Sequence, residues 1–188
     1  VGPCNLADLP SELAKNDQLA KEALSCIGLE RLFQEVAPDT MPLDHYPSER
    51  YDQIVGSISR ERLLAACQVT GTHIHIGMPD ADVALRVYNK VIQNVDELCR
   101  IGDHSSGRRL QIYKVMADDN RPRPWQDWNQ FEAYAIEHGF FDDPRSCWHL
   151  IRLSVHGTIE FRVFGSPQSN DEVVDWATRC HSLCRDAF

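Results

Sequence analysis

Gly71-Thr72-His73-Ile74-His75-Ile76-Gly77-Met78-Pro79-Asp80 is the stretch on which the fold turns. Side chains of a strand alternate between its faces, so a strand here puts both imidazoles on one face and both isoleucines on the other. The apolar face packs and the other is free to bind. Two imidazoles side by side suit a divalent cation or the phosphate oxygens of a nucleotide, and the flanking glycines let a ligand approach closely. The plainer alternative is a strand with two exposed histidines. The strand is predicted over Gln68–Met78, closed by Pro79 and Asp80.

A second stretch repeats the alternation. In Gly157-Thr158-Ile159-Glu160-Phe161-Arg162-Val163, Glu160 and Arg162 share one face while Ile159, Phe161 and Val163 share the other. By itself the charged pair is an ordinary surface ion pair of little energetic consequence. Both motifs on one sheet surface would offer two imidazoles, a carboxylate and a guanidinium. That is a metal ligand set beside an anion clamp, which phosphoryl chemistry on a carboxylate requires.

Outward from these motifs, the pattern predicts strands at Trp148–Ser154 and Thr158–Phe164, hinged at His156-Gly157. Helical spacing of apolar residues predicts helices from Pro10 to Phe33 with a break at Gly28, from Ser48 to Ala66, from Asp82 to Cys99, from Trp125 to His138 and from Asn170 to Arg185. Arg108–Met116 reads as helix or extended. Ala37–Pro47, Gly102–Gly107 and Asp118–Pro124 read as loops. Trp128, Phe131 and Tyr134 form an aromatic stripe at helical spacing, which predicts a packed helix rather than a catalytic one. Helices and strands mix without a βαβ rhythm, so the expected class is α+β: a mostly antiparallel sheet with helices on one face, built as one domain over residues 1–188.

With 188 residues and 43% apolar content, the chain can bury one sizeable core. Its net charge of -9 argues against broad binding to nucleic acid or an anionic membrane. No apolar run reaches the roughly 20 residues that span a bilayer, and a cytoplasmic location is expected. The seven cysteines lack CxxC spacing and are expected to be reduced thiols. Cys180 and Cys184 would stand one helical turn apart, but no further thiol or imidazole ligand adjoins them.

GTHIHIGMPD followed by ADVALRVYNKV, then Ser106-Gly107-Arg108, Pro124-Trp125-Gln126-Asp127-Trp128, Phe131-Glu132-Ala133-Tyr134, and Trp148-His149-Leu150-Ile151-Arg152 leading into GTIEFRVF, resemble in order the glutamate–cysteine ligase type 2 family of carboxylate–amine ligases. Pro10-Ser11-Glu12-Leu13-Ala14-Lys15-Asn16 is similar to part of that family's amino-terminal half. The resemblance covers residues 45 to 188 well and the rest thinly. It implies a glutamine-synthetase-like fold and a reaction in which ATP phosphorylates a carboxylate and an amine then displaces phosphate. It implies ATP and Mg²⁺ or Mn²⁺ as cofactors, small carboxylate and amine substrates, and a homo-oligomer. It further implies that His73 and Glu160 ligate a cation, that His75 lies beside the nucleotide phosphates, and that Arg162 and Arg152 hold the phosphoryl group and substrate carboxylate. Ser106 and Arg108 would belong to a loop near the substrate.

The chain departs from the family in one respect. The family opens with a Gly-x-Glu-x-Glu strand whose carboxylates supply most metal ligands, and nothing before His73 matches it. Glu12, Glu22, Glu30 and Glu35 read as solvated surface charges. The chain also opens at Val1, not Met. A shortened member, a degenerate one or a fragment are the readings left open, with metal binding and turnover expected to be weak unless carboxylates come from elsewhere. A non-catalytic nucleotide- or metal-binding relative is the alternative. A metal hydrolase or cupin-like protein ranks lowest, since no Glu follows His75 within four residues.

Overall fold

A computed structural model describes residues 1–117 and 120–188. Of the polar loop expected from Asp118 to Pro124, Asp118 and Asp119 lie outside the described residues.

The first helix, α1 (Leu9–Cys26), buries no residue and packs against the last helix. It stops well before Phe33. Gly28 adopts φ +68, and the Gly28 and Leu29 amides donate back to the carbonyls of Ser25 and Leu24. This Schellman closure needs the left-handed conformation that glycine adopts without strain.

The helix expected over Ser48–Ala66 is two helices, α2 (Glu49–Ser57) and α3 (Arg60–Gln68). Ile58 is extended, and the Ser59 side chain accepts from the Arg62 amide, so a serine inside the periodic run starts a new helix. Gln68 therefore belongs to α3, and the first strand, β1, covers only Thr72–Gly77.

Asp80 caps α4 (Ala81–Val91), a 3₁₀ turn at Ile92–Asn94 follows, and α5 (Val95–Ile101) completes the segment expected as one helix. Arg108–Met116 is helical, α6. Asp127 caps α7 (Trp128–Glu137), so Trp125 precedes this helix instead of opening it. Tyr134 is buried, Trp128 and Phe131 pack against the core, and Trp125 and Phe131 meet edge to face at 5.5 Å. The stripe is a packing surface.

Two further strands, β2 (Ile151–Ser154) and β3 (Thr158–Phe164), form a hairpin over residues 155–157, where Gly157 has φ +68. Three-residue hairpin loops favour a left-handed last residue. The sheet is antiparallel with order β1-β3-β2, so β3 is central. Opposite His73 the register shifts: Thr72 pairs with Phe164 but Ile74 with Phe161, leaving Arg162 and Val163 both facing one residue. This is a bulge.

The last helix, α8 (Asn170–Asp186), joins α4 and α5 against the apolar face of the sheet, where Ile159, Phe161 and Val163 are almost wholly buried. Phe164 stacks on Trp176 at 4.8 Å. Helices are not confined to that face, because α2, α3 and α6 line a cavity over the other one. The architecture is mixed helix and antiparallel sheet. Among the described residues, no helix is long and apolar enough to cross a membrane.

Candidate functional site

The cavity on the polar face of the sheet has a volume of about 1040 Å³, and His73, His75, Arg152, Glu160 and Arg162 all line it. Register explains the gathering. Glu160 on the central strand pairs with His75 of β1 on one side and Arg152 of β2 on the other.

Glu160 is the hub. Its side chain is 3% exposed, with Arg162 Nη1 at 2.8 Å and His73 Nδ1 at 3.2 Å from Oε1, and Arg152 Nε at 2.7 Å from Oε2. His75 Nε2 stands 3.9 Å from the same Oε1. Burial alone would raise the Glu160 pKa. The hydrogen bonds from His73, Arg152 and Arg162, with the Arg152 charge, overcome it and hold the carboxyl far below its ordinary range.

The two guanidiniums are fixed by further contacts. Arg152 Nη1 donates to the carbonyls of Pro144 at 3.0 Å and Cys147 at 2.7 Å, and Arg162 lies under the Trp148 ring with Cζ 5.4 Å from its centroid. His75 Nδ1 is 2.8 Å from Thr158 Oγ1. Burial lowers the His75 pKa, Glu160 partly restores it, and His73, His156 and Arg152 lower it again, favouring the neutral ring.

The cavity wall is cationic. Among the described residues, Arg50, Arg62, Arg109, Arg145, Arg152 and Arg162 line it against Asp44, Asp143 and Glu160. In a chain of net charge -9, this local reversal favours an anionic ligand.

Ser106 and Arg108 are not brought into this cavity. Ser106 sits at φ +55 in a turn whose Asp103 carboxylate takes the amides of Ser105 and Gly107, so the mouth of α6 already holds an anion. Arg108 is exposed, 3.5 Å from Asp39, and lines a smaller cavity with Glu35. Its neighbour Arg109 faces the main cavity instead.

The surface reading of Glu35 is corrected. Glu35 is 5% exposed, and its Oε1 accepts from the His104 amide at 3.0 Å. It seats on Gly165, where an added Cβ would collide with the carboxylate. The segment lies beside the Val36↔Val69 bridge, a tertiary pairing that spacing did not reveal. Arg109 was likewise missed, since a buried guanidinium in Gly107-Arg108-Arg109 looks like its exposed neighbour.

The residues present do not fit a divalent cation at Glu160. Both carboxylate oxygens already bind guanidiniums, and among the described residues no group of three or more His, Cys, Asp or Glu side chains could hold a metal ion.

No family model matches the chain. It is 25% identical over 160 residues to a protein of Haloferax volcanii named glutamate–cysteine ligase, across 77% of this chain and 44% of that one. A glutamate–cysteine ligase of Natronomonas pharaonis is 25% identical over 160 residues, covering 77% of this chain and 43% of its own. One from Halobacterium salinarum is 28% identical over 119 residues, 56% and 33% respectively. The resemblance carried by the two strand motifs thus extends along most of the chain. The chain spans less than half the length of these relatives.

Proposed function

We propose that this chain carries the substrate-binding sheet of an ATP-dependent carboxylate–amine ligase of the glutamate–cysteine ligase kind. The observation that supports it most is the Arg152–Glu160–Arg162 cluster with His73 and His75 in one cationic cavity. We read the three-stranded antiparallel sheet as part of a glutamine-synthetase-like architecture.

In this reading ATP transfers its terminal phosphoryl group to an oxygen of the acid's carboxylate, leaving ADP and an acyl phosphate. The amine nitrogen then attacks the acyl carbon, the C–O bond to phosphate breaks, and the amine loses a proton as the amide forms. The carboxylate, ATP and the acyl phosphate are all anionic. Arg152 would hold negative oxygens, and Arg162 behind it would add positive charge where negative charge accumulates. The neutral His75 ring would donate or accept a hydrogen bond beside the phosphates without adding charge. Trp148, lying over Arg162, would help keep water from the reacting groups. No step is assigned to a metal at Glu160, because its oxygens are committed to the arginines.

The test is phosphate release by the purified chain with ATP, Mg²⁺, glutamate and a panel of amines including cysteine, with hydroxylamine as a trap for the acyl phosphate. Amine-dependent release and a hydroxamate product are expected. Binding of ATP and glutamate with neither product would sink the catalytic reading in favour of a non-catalytic binding relative. The saturation of Glu160 and the lack of a metal-holding group among the described residues favour that second reading.

A further inference from the structure

We infer that Glu160 is the counter-ion of a paired-guanidinium receptor, not a metal ligand, and that the cavity takes the oxyanion of its ligand on Arg152, His73 and His75 without a divalent ion held by that carboxylate. The inference rests on the proposed function only for what the ligand becomes.

Three observations carry it. First, the hairpin register places Arg152 directly across from Glu160, and Arg162 lies two residues along the same face. Each carboxylate oxygen therefore has its own guanidinium, at 2.7 Å and 2.8 Å, with the carboxylate sealed from solvent. A hard cation would have to displace a charge-assisted hydrogen bond and then sit beside two fixed positive charges, while finding a single carboxylate where it wants about six oxygens.

Second, the donors left over point the other way. The side chains of His73 and His75 remain 40% and 37% exposed on the cavity side, and that of Arg152 remains 16% exposed. Arg162, at 8%, is nearly covered and acts mainly by its charge. Third, among the described residues six arginines line the cavity against three carboxylates, which gives that wall a positive potential inside an acidic protein. Phosphate and carboxylate oxyanions both match the remaining exposed edge of the Arg152 guanidinium flanked by imidazoles. Glu160 holds that guanidinium in place, and it also competes with the ligand for the same charge.

The experiment is calorimetric titration of the chain with inorganic phosphate and, separately, with L-glutamate, each in EDTA and in Mg²⁺. Mn²⁺ binding is followed by electron paramagnetic resonance in the wild type and in Glu160→Gln. At least one anion is expected to bind, with affinity equal within about twofold in EDTA and Mg²⁺, and the pattern of binding tells a phosphate site from a carboxylate site. Arg152→Ala should weaken that binding by about tenfold or more, whereas Glu160→Gln should tighten it several-fold and leave Mn²⁺ affinity unchanged. Anion binding seen only with Mg²⁺, no binding of either anion, or a tenfold loss of Mn²⁺ affinity in Glu160→Gln would overturn the inference. The EDTA comparison uses the wild type, so it decides the matter even if the variant fails to fold. Failure of turnover with ATP bears on the proposed reaction alone.

Discussion

Arg109 donates from Nη1 to the Val163 carbonyl oxygen at 3.0 Å, so a buried guanidinium on α6 closes the bulge of β3 opposite His73. Its Nε reaches the Thr70 carbonyl at 2.6 Å and its Nη2 the Arg162 carbonyl at 3.3 Å. A bulge leaves ladder groups unpaired, and here one cation supplies the missing donors. The backbone around Arg162, opposite His73, is thereby held in place.

Arg109→Met is therefore expected to be destabilising, because it leaves buried carbonyls without donors. The cost should be about 3–5 kcal/mol, read as a fall in the urea midpoint, with Arg109→Lys recovering part of it. An unchanged midpoint would show that the bulge needs no support from α6.

The same guanidinium restricts Gly71, where an added Cβ would lie 2.7 Å from Arg109 Nη2 and 3.3 Å from the Phe164 carbonyl oxygen. Gly71→Ala should cost about 1–3 kcal/mol by overpacking. Combined with Arg109→Met it should cost less than the two single changes together, a coupling of at least about 0.5 kcal/mol in a double-mutant cycle. Strict additivity would place the clash elsewhere.

Ser59→Ala tests why one expected helix became two. The hydroxyl accepts from the Arg62 amide at 3.2 Å, and its loss should cost about 1 kcal/mol. A stabilising effect, or a gain in helix content by circular dichroism, would mean that the break at Ile58 depends on that cap alone and that the run fuses without it.

The alternation in the two strand motifs was legible because a two-residue period survives any tertiary context. It placed His73, His75, Glu160 and Arg162 on one face correctly. The pairing of Arg152 with Glu160 was also within reach: once residues 155–157 form the hairpin loop, Ser154 faces Thr158 and Arg152 must face Glu160. The burial of Glu35 and Arg109 could not be read. Each is a charged residue directly after another polar or charged one, Gln34 and Arg108, and its interior position comes from contacts with residues far away in sequence, Gly165 and Val163. The split of α2 from α3 was hidden because Ile54, Val55, Ile58 and Leu63 keep an apolar spacing across Ser59. A cap competes with helix continuation through one hydroxyl, and a periodicity count does not weigh it.

The pH dependence of stability follows from Glu160 and His75, and both act on the acid side. Glu160 is ionised in the fold well below its ordinary pKa of 4.5, so it contributes stability that is complete above that value and is lost as pH falls beneath it. His75 is depressed below its ordinary 6.5 by burial, so protonation is disfavoured in the fold and its contribution begins to fade below 6.5. The His75 ring is more than one third exposed, so its share is small after solvent screening. Two stages are expected: a shallow decline in the urea midpoint as pH drops through the histidine range, then a steep one in the carboxylate range. His75→Gln should flatten the first stage and leave the second. Glu160→Gln should lower stability at neutral pH, since two guanidiniums then lose their counter-charge, and should also remove much of the steep acid stage. Its profile should therefore converge on that of the wild type at low pH. Parallel profiles, offset equally at every pH, would mean that Glu160 acts by shape and hydrogen bonding without its charge, and the counter-ion role would have to be abandoned.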